Sequence, residues 1–269
     1  MAELPEMERY RTVLTPHLTA IEMTHIEVHR EKSINIPVSK FISHLQGNHI
    51  TTINRRAKHL IFDLHSGEHL LLHLMIGGWL FLGDFGIQPK SKAQIILSFG
   101  ERKLYFVGLR LGYLHLLSTE ELHTKLEKLG PEPLNDAFQF HDFYERIRNK
   151  RGTLKSILVD PTFIAGIGSC YSDEICFEAR LKPTRKANEL MNAEIETLFQ
   201  AIKPVLIRAI EIGGYMDYPL YAGDEKTGQY NHHFLVYERE NESCDRCGHR
   251  IEMLEVSSRK SFACSGCQV

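Results

Sequence analysis

From Thr19 to His29 apolar and polar residues alternate, with Ile21, Met23, Ile26 and Val28 set among polar neighbours. A period of two turns one face of an extended chain toward a core and the other toward water. Short apolar segments follow at Leu60–Leu64, Leu70–Ile76, Trp79–Leu82, Ile95–Phe99 and Leu104–Val107. Gly67, Gly77-Gly78, Gly83, Gly86 and Gly100 supply turn signals between them. Residues 17–112 therefore read mainly as strands, and several short strands at this spacing predict a β-sandwich or barrel.

The period changes near Ser118. Thr119-Glu120-Glu121 opens a helical pattern that stops before Gly130-Pro131, and helical periodicity then continues to about Gly213. Within Ala187–Ile212, the spacing of Leu190, Ile195, Leu198, Phe199 and Ile202 predicts an amphipathic helix, with a kink or break at Pro204. Residues 215–231 read as an exposed loop rich in Gly, Asp, Pro and Tyr. From Phe234 the chain reads as short strands around cysteines. The pattern as a whole predicts an α+β protein of several domains.

At 269 residues and 43% hydrophobic content, the chain can bury a sizeable core, which argues against disorder. Its apolar stretches are far shorter than a membrane span. Met1 to Glu6 is acidic and has no apolar signal core, so the expectation is a cytoplasmic protein. A formal net charge of −2 supplies no general attraction to nucleic acid. Charge distribution matters more than the total. Arg146 to Lys155 is basic without a single acid, and Arg180, Lys182, Arg185 and Lys186 form a second cluster. These clusters read either as solvated helix ends or as phosphate-facing patches.

Of six cysteines, four form Cys244-x2-Cys247, sixteen residues, then Cys264-x2-Cys267. Two such knuckles can place four thiolates tetrahedrally around one structural Zn²⁺, and the intervening residues are long enough for a β-hairpin. Two disulfides or a redox pair are the competing readings. Without an export signal structural disulfides are disfavoured, and a redox CxxC usually occurs singly at a helix start. Cys170 and Cys176 lie in the helical region and read as core residues.

Three motifs carry a resemblance: Ala2-Glu3-Leu4-Pro5-Glu6; Leu129-Gly130-Pro131-Glu132-Pro133-Leu134 with Ala165-Gly166-Ile167-Gly168 and Tyr171-Ser172-Asp173-Glu174-Ile175; and Arg259 to Gln268 around the second knuckle. In this order and at these distances, the chain resembles the formamidopyrimidine-DNA glycosylase and endonuclease VIII family along its whole length. The resemblance implies a β-sandwich domain at 1–117, a helix–two-turn–helix domain at 118–233 and a zinc finger at 234–269. It implies a monomer that binds damaged, abasic or unpaired DNA, nucleoid-associated in a bacterium.

It also implies base excision. An N-terminal amine attacks C1′ of a damaged nucleotide, a Schiff base forms, the base leaves, and the strand is cut by elimination. An α-amine, with an ordinary pKa of roughly 7.7–8.0, suits that role. Ala2 stands where the family has its nucleophilic proline, so Met1 must be removed to leave a primary amine. Glu3 matches the family's acid/base glutamate and Lys58 its lysine on a strand turn. Gly166, Gly168 and Ser169, in place of GIGN, match the phosphate-binding turn before a helix; a GxG by itself is equally a tight turn. Arg259 matches the zinc-finger arginine. Arg110 and Lys155 are further candidates for DNA contact.

Four positions depart from the family pattern: the nucleophile, the phosphate clamp, the wedge and the lesion loop. HLGMSG becomes His73-Leu74-Met75-Ile76-Gly77-Gly78. DPRRFG becomes Val107-Gly108-Leu109-Arg110-Leu111-Gly112. Ile76, Leu109 and Leu111 thus stand where Met, Arg and Phe fill the void left by a flipped nucleotide. The lesion-reading GGTTLRDF becomes Gly213-Gly214-Tyr215-Met216-Asp217-Tyr218-Pro219-Leu220. Tyr215, Tyr218, Tyr221 and Tyr230 could stack on bases or pack the loop onto the body. Two functional readings stand: a glycosylase with lyase action, or a catalytically silent DNA-structure binder on the same scaffold. A zinc-stabilised protein-interaction module would leave the helix–two-turn–helix resemblance unexplained.

Overall fold

The computed structural model describes residues 1–84 and 86–269. It contains two compact units: Met1–Lys128 with Gly213–Gln229, and Leu129–Ile212 with Tyr230–Val269.

The first unit opens with helix α1, Leu4–Leu18. Glu3 and Glu6 form its capping box, with Pro5 in the first turn. Leu4, Met7, Tyr10, Leu14 and Leu18 are fully buried at helical spacing. Among the described residues eight strands follow: β1 (His25–Val28), β2 (Ile50–Arg56), β3 (His59–Leu64), β4 (His69–His73), β5 (Trp79–Asp84), β6 (Ala93–Phe99), β7 (Arg102–Val107) and β8 (Tyr113–Leu117). They form two antiparallel four-stranded sheets, ordered β1-β6-β7-β5 and β2-β3-β4-β8, as a sandwich requires. Phe62, Leu70, Leu72, Leu80, Leu104 and Phe106 belong to one core with Leu14 and Leu18 of α1.

Three features of this unit depart from the alternation. The stretch Thr19–His29 yields only the four residues of β1. Helix α2, Val38–Leu45, interrupts the strands and buries Phe41 and Leu45. β4 stops at His73, so Ile76 lies on the following turn and not in a strand.

Helix α3, Thr119–Leu126, is capped by Ser118, whose hydroxyl accepts the Glu121 N–H. Leu122 and Leu126 pack against Ile61, Leu71 and Leu117, so α3 belongs with the sandwich and not with the helices that follow. Residues 213–229 also return to this unit. Met216 and Leu220 enter its core, the Leu82 N–H donates to the Leu220 carbonyl at 2.6 Å, and Tyr218 stacks on Trp79 with ring centres 4.7 Å apart.

The second unit holds helices α4 (Phe140–Ile147), α5 (Leu154–Leu158), α6 (Ser169–Glu178) and α7 (Asn192–Glu211). Two turns join α5 to α6. α7 passes through Pro204 as one continuous helix, without the expected break. Phe199 of α7 packs against Phe138 and Phe143, and Phe143 against Phe163. Strands β9 (Ile251–Val256) and β10 (Arg259–Cys264) form the C-terminal hairpin. Its tip, Ser257-Ser258, has φ of 52° and 59°, the left-handed values that a two-residue hairpin turn needs.

The hairpin is not a separate body. Phe177 of α6 shares a core cluster with Val236, Cys244, Ile251, Phe262 and Cys264. The Glu174 carboxylate accepts the N–H groups of Leu235, Val236 and Tyr237 at 2.9–3.1 Å. The expected boundary at 234 thus falls inside one compact unit, because buried carboxylates on α6 are satisfied by the backbone of the segment that leads into the finger and of the finger itself.

Candidate active site and nucleic-acid interface

Ala2 and Glu3 are 3% and 1% exposed at the start of α1, while Met1 is 45% exposed. The Glu6 carboxylate accepts the Glu3 N–H at 2.7 Å through one oxygen and the Tyr215 N–H at 3.0 Å through the other. The Tyr215 hydroxyl donates to the Met1 carbonyl at 2.8 Å and lies 3.4 Å from a Glu3 carboxylate oxygen. Gly214 makes this approach feasible. Its φ is +75°, and a Cβ there would come within 2.3 Å of the Glu6 carboxylate. Ala2 carries Met1, so its nitrogen is an amide here.

Lys58 is half-buried on the two-residue turn between β2 and β3, as expected, after Ala57 with φ of 53°. That turn is fastened to α1. Arg55 donates to Glu8 at 2.9 Å and to the Ala57 carbonyl at 3.2 Å. Burial pushes the Glu8 carboxyl up, but hydrogen bonds and charge from Arg11 and Arg55 outweigh it and hold the group below its ordinary value.

The three wedge positions divide. Ile76 and Leu111 are 67% and 63% exposed on turns, whereas Leu109 is fully buried. Leu109 therefore does not stand as a wedge in this structure, and that expectation is corrected. Gly108 turns the chain with φ of 71°. The Gln94 side chain accepts the Leu109 N–H at 2.9 Å, and the Ser33 hydroxyl donates to its carbonyl at 3.1 Å. Arg110 is exposed between the two leucines.

Sequence reasoning missed a row of rings beside this site. His59, His73 and Tyr113 stand opposite one another across β3, β4 and β8. His59 and His73 meet edge-on at 4.5 Å, and a His59 ring nitrogen lies 3.1 Å from the Tyr113 hydroxyl. His73 Nδ1 accepts the Met75 N–H at 3.0 Å, which shapes the turn carrying Ile76. Burial first, then neighbouring charge, lowers the imidazoles to about 3 for His59 and about 4 for His73. Strand register decides this row, and register is legible only once pairing is known.

In the second unit, Gly166 has φ of +91° and Gly168 is the N-cap residue of α6, with Ser169 half-buried as its first residue. A glycine has no side chain to cap the helix itself, an arrangement that suits an anion at the helix start. Arg146, Arg148, Lys150 and Arg151 are exposed, as is Arg259 at the start of β10. Arg185 of the second basic cluster is committed to Glu194 at 3.1 Å.

Lys155 is corrected as a direct DNA contact: its side chain is completely buried. Its ammonium donates to Asp173 at 2.8 Å and to the Ser169 carbonyl at 2.6 Å. Asp173 also accepts the Ser261 hydroxyl and the Phe262 N–H, the latter at 3.0 Å. Burial pushes the Asp173 carboxyl up to about 6 against the opposing pull of Lys155, Ser261 and Phe262. Lys155 thus ties the α6 start to the C-terminal hairpin from beneath.

The sulfurs of Cys244, Cys247, Cys264 and Cys267 all lie within 4.8 Å of one another, a possible metal site in the hairpin. Cys244 and Cys267 are 3.8 Å apart and Cys247 and Cys264 3.3 Å. Tetrahedral thiolates at about 2.3 Å from one ion would be separated by a comparable distance. The donor set therefore fits Zn²⁺. Cys170 and Cys176 are fully buried, as the sequence implied.

Two families match the chain: the formamidopyrimidine-DNA glycosylase N-terminal domain over residues 1–113 and the formamidopyrimidine-DNA glycosylase H2TH domain over residues 129–217. Relatives of that name from Alteromonas mediterranea and Listeria monocytogenes are each 33% identical over the full length of both chains. The chain belongs to the formamidopyrimidine-DNA glycosylase family. Solved structures of the Lactococcus lactis enzyme agree in fold. A complex with abasic-site DNA matches at TM-score 0.92 and 28% identity, and one with Fapy-dG DNA at 0.91 and 28%, each over 99% of both chains. Lys58 sits on the strand turn that the sequence led us to expect.

Proposed function

We propose that this protein is a DNA glycosylase with AP-lyase activity on damaged, abasic or unpaired DNA, acting through the α-amine of Ala2 after Met1 is removed. The observation that carries the reading is the placement of Glu3. It stands at the start of α1 directly beside Ala2, is buried, and has its backbone N–H held by the Glu6 carboxylate. A buried carboxylate next to a small primary amine supplies a proton acceptor and donor at the nitrogen that must form the Schiff base. Lys58 supports base release from the neighbouring turn. Gly166, Gly168, Ser169, Arg259 and exposed Arg110 bind phosphates. One Zn²⁺ held by Cys244, Cys247, Cys264 and Cys267 supplies a closed, structural coordination shell that fixes the hairpin bearing Arg259. The protein works as a monomer in the cytoplasm.

The full burial of Leu109 and the loss of proline favour a second reading, a DNA-structure binder without chemistry. Borohydride trapping decides between them. Protein shown by intact mass to lack Met1, incubated with abasic DNA and borohydride, should give a covalent adduct that peptide mapping places on Ala2. A Met1-free protein that binds abasic DNA and forms no adduct would establish the silent binder.

A further inference from the structure

Among the polar contacts of the first unit, one places a phenol beside the reacting nitrogen of the proposed activity, and the inference rests on that activity. The Tyr215 hydroxyl bonds to the carbonyl oxygen of Met1 at 2.8 Å. That oxygen and the Ala2 nitrogen share one amide and lie about 2.3 Å apart by covalent geometry. The Ala2 nitrogen is therefore within about 5 Å of the phenol, and removing Met1 clears the space between them. Tyr215 is held there by its backbone. Its N–H bonds the same Glu6 carboxylate that holds the Glu3 N–H, and Gly214 lets the chain pass close to that carboxylate.

A proline iminium has no N–H. An alanine iminium keeps one, and a proton lost from it leaves a neutral imine, a poor electron sink for strand cleavage. Ala2 is 3% exposed with Met1 in place, and in the Schiff base C1′ takes the position on the nitrogen that the Met1 carbonyl carbon holds. A buried donor without an acceptor is costly. We propose that Tyr215 is a catalytic residue whose phenol oxygen accepts the N–H that alanine has and proline lacks, so that the Schiff base stays charged.

The proton balance closes on an abasic aldehyde. The Ala2 ammonium carries three N–H bonds. One proton passes to the Glu3 carboxylate, and the freed lone pair forms the N–C1′ bond as the carbonyl π bond breaks. Glu3 returns that proton to the oxygen. A second N–H proton follows the same route, the C1′–O bond breaks, and the oxygen leaves as water. The third N–H remains on the iminium, donating to the phenol oxygen, while the phenol proton points to the Glu3 oxygen 3.4 Å away. Nothing is oxidised or reduced.

The test compares the Met1-free protein with Tyr215→Phe, each with Ala2 and with Ala2→Pro, by the pH dependence of strand cleavage at abasic sites under single-turnover conditions. Cleavage should fall at high pH as the iminium deprotonates. Loss of a hydrogen bond to a charged group should move that alkaline limb down by about one pH unit in Tyr215→Phe. In Ala2→Pro the iminium has no proton to lose, and Tyr215→Phe should leave the limb in place. An unmoved limb in the Ala2 protein, or an equal shift in both backgrounds, overturns the proposal, the second because it marks a structural effect. Absence of any adduct in the Met1-free parent, with DNA bound, overturns the activity itself. Tyr215 is then judged in free protein by pH-dependent labelling of the Ala2 amine. A lower midpoint in Tyr215→Phe supports the hydrogen bond and equal midpoints refute it.

Discussion

Replacing Asp173 with Asn separates the two roles that Lys155 could have. In the structure the Lys155 ammonium and the Asp173 carboxylate are both completely buried and 2.8 Å apart, and the same carboxylate holds Ser261 and Phe262 of the hairpin. The substitution keeps the shape but leaves a buried cation without its counter-charge. Breaking a buried pair from one side costs about 3–5 kcal/mol. For a unit of this size that corresponds to a fall in melting midpoint of roughly 10–20 °C. Calorimetry of the zinc-loaded protein measures it directly. Lys155→Met combined with Asp173→Leu removes both charges and should recover the part of the loss that comes from the unpaired cation, while the Ser261 hydroxyl and the Phe262 N–H stay without that acceptor. A surface lysine on a phosphate behaves differently. Its removal leaves the melting midpoint almost unchanged and reduces the salt dependence of DNA binding by about one counter-ion. A melting midpoint for Asp173→Asn within about 2 °C of the parent, or a reduced salt slope for Lys155→Met at unchanged stability, would refute the buried-pair argument.

Three further outcomes follow from the same structure. Metal analysis should find about one zinc per chain, and Cys264→Ser should release it and also lower the stability of α6, because Cys264 shares a core cluster with Phe177; an unchanged amide-exchange pattern in α6 would count against that coupling. His59 and His73 are held neutral by burial, with folded values near 3 and 4 against an ordinary 6.5. The unfolded chain then binds more protons between about pH 4 and 6.5, so stability should fall as pH drops through that window, and His59→Phe should flatten the fall in urea titrations. With aliphatic Ile76 and Leu111 exposed and Leu109 buried, holding a base out of a paired duplex is harder. Cleavage should therefore favour abasic sites in bubbles, forks or single strands over a duplex carrying paired 8-oxoguanine, and efficient opposite-base-specific excision from duplex would contradict it.

Much of this was legible in one dimension because the signals are local. Four cysteines at fixed spacing meet in space because each CxxC knuckle brings its own pair together and the hairpin between them is short. Short apolar runs between glycine turns sufficed for most strands of the sandwich, the alternation at Thr19–His29 marked only β1, and the capping signals at Ser118 sufficed for α3. Glu3 and Ala2 are neighbours in the chain, so their meeting needed no fold to predict it. Helix α1 was less legible, since charged residues crowd its exposed face and Pro16 lies inside it.

What tertiary structure decided is which of the chemically similar residues face water. Lys155 belongs to a basic run in the sequence, yet α5 turns it inward to Asp173 while Arg148, Lys150 and Arg151 stay out. Leu109 and Leu111 are two residues apart on one loop, yet only the first is in the core, its N–H donating to Gln94 and its carbonyl accepting from Ser33. Tyr215 reaches the N-terminus from more than two hundred residues away because Glu6 bonds its backbone. His59 meets His73 through strand register. Each of these depends on partners distant in sequence, and burial of a polar group is an energy set by its partners rather than by its own identity.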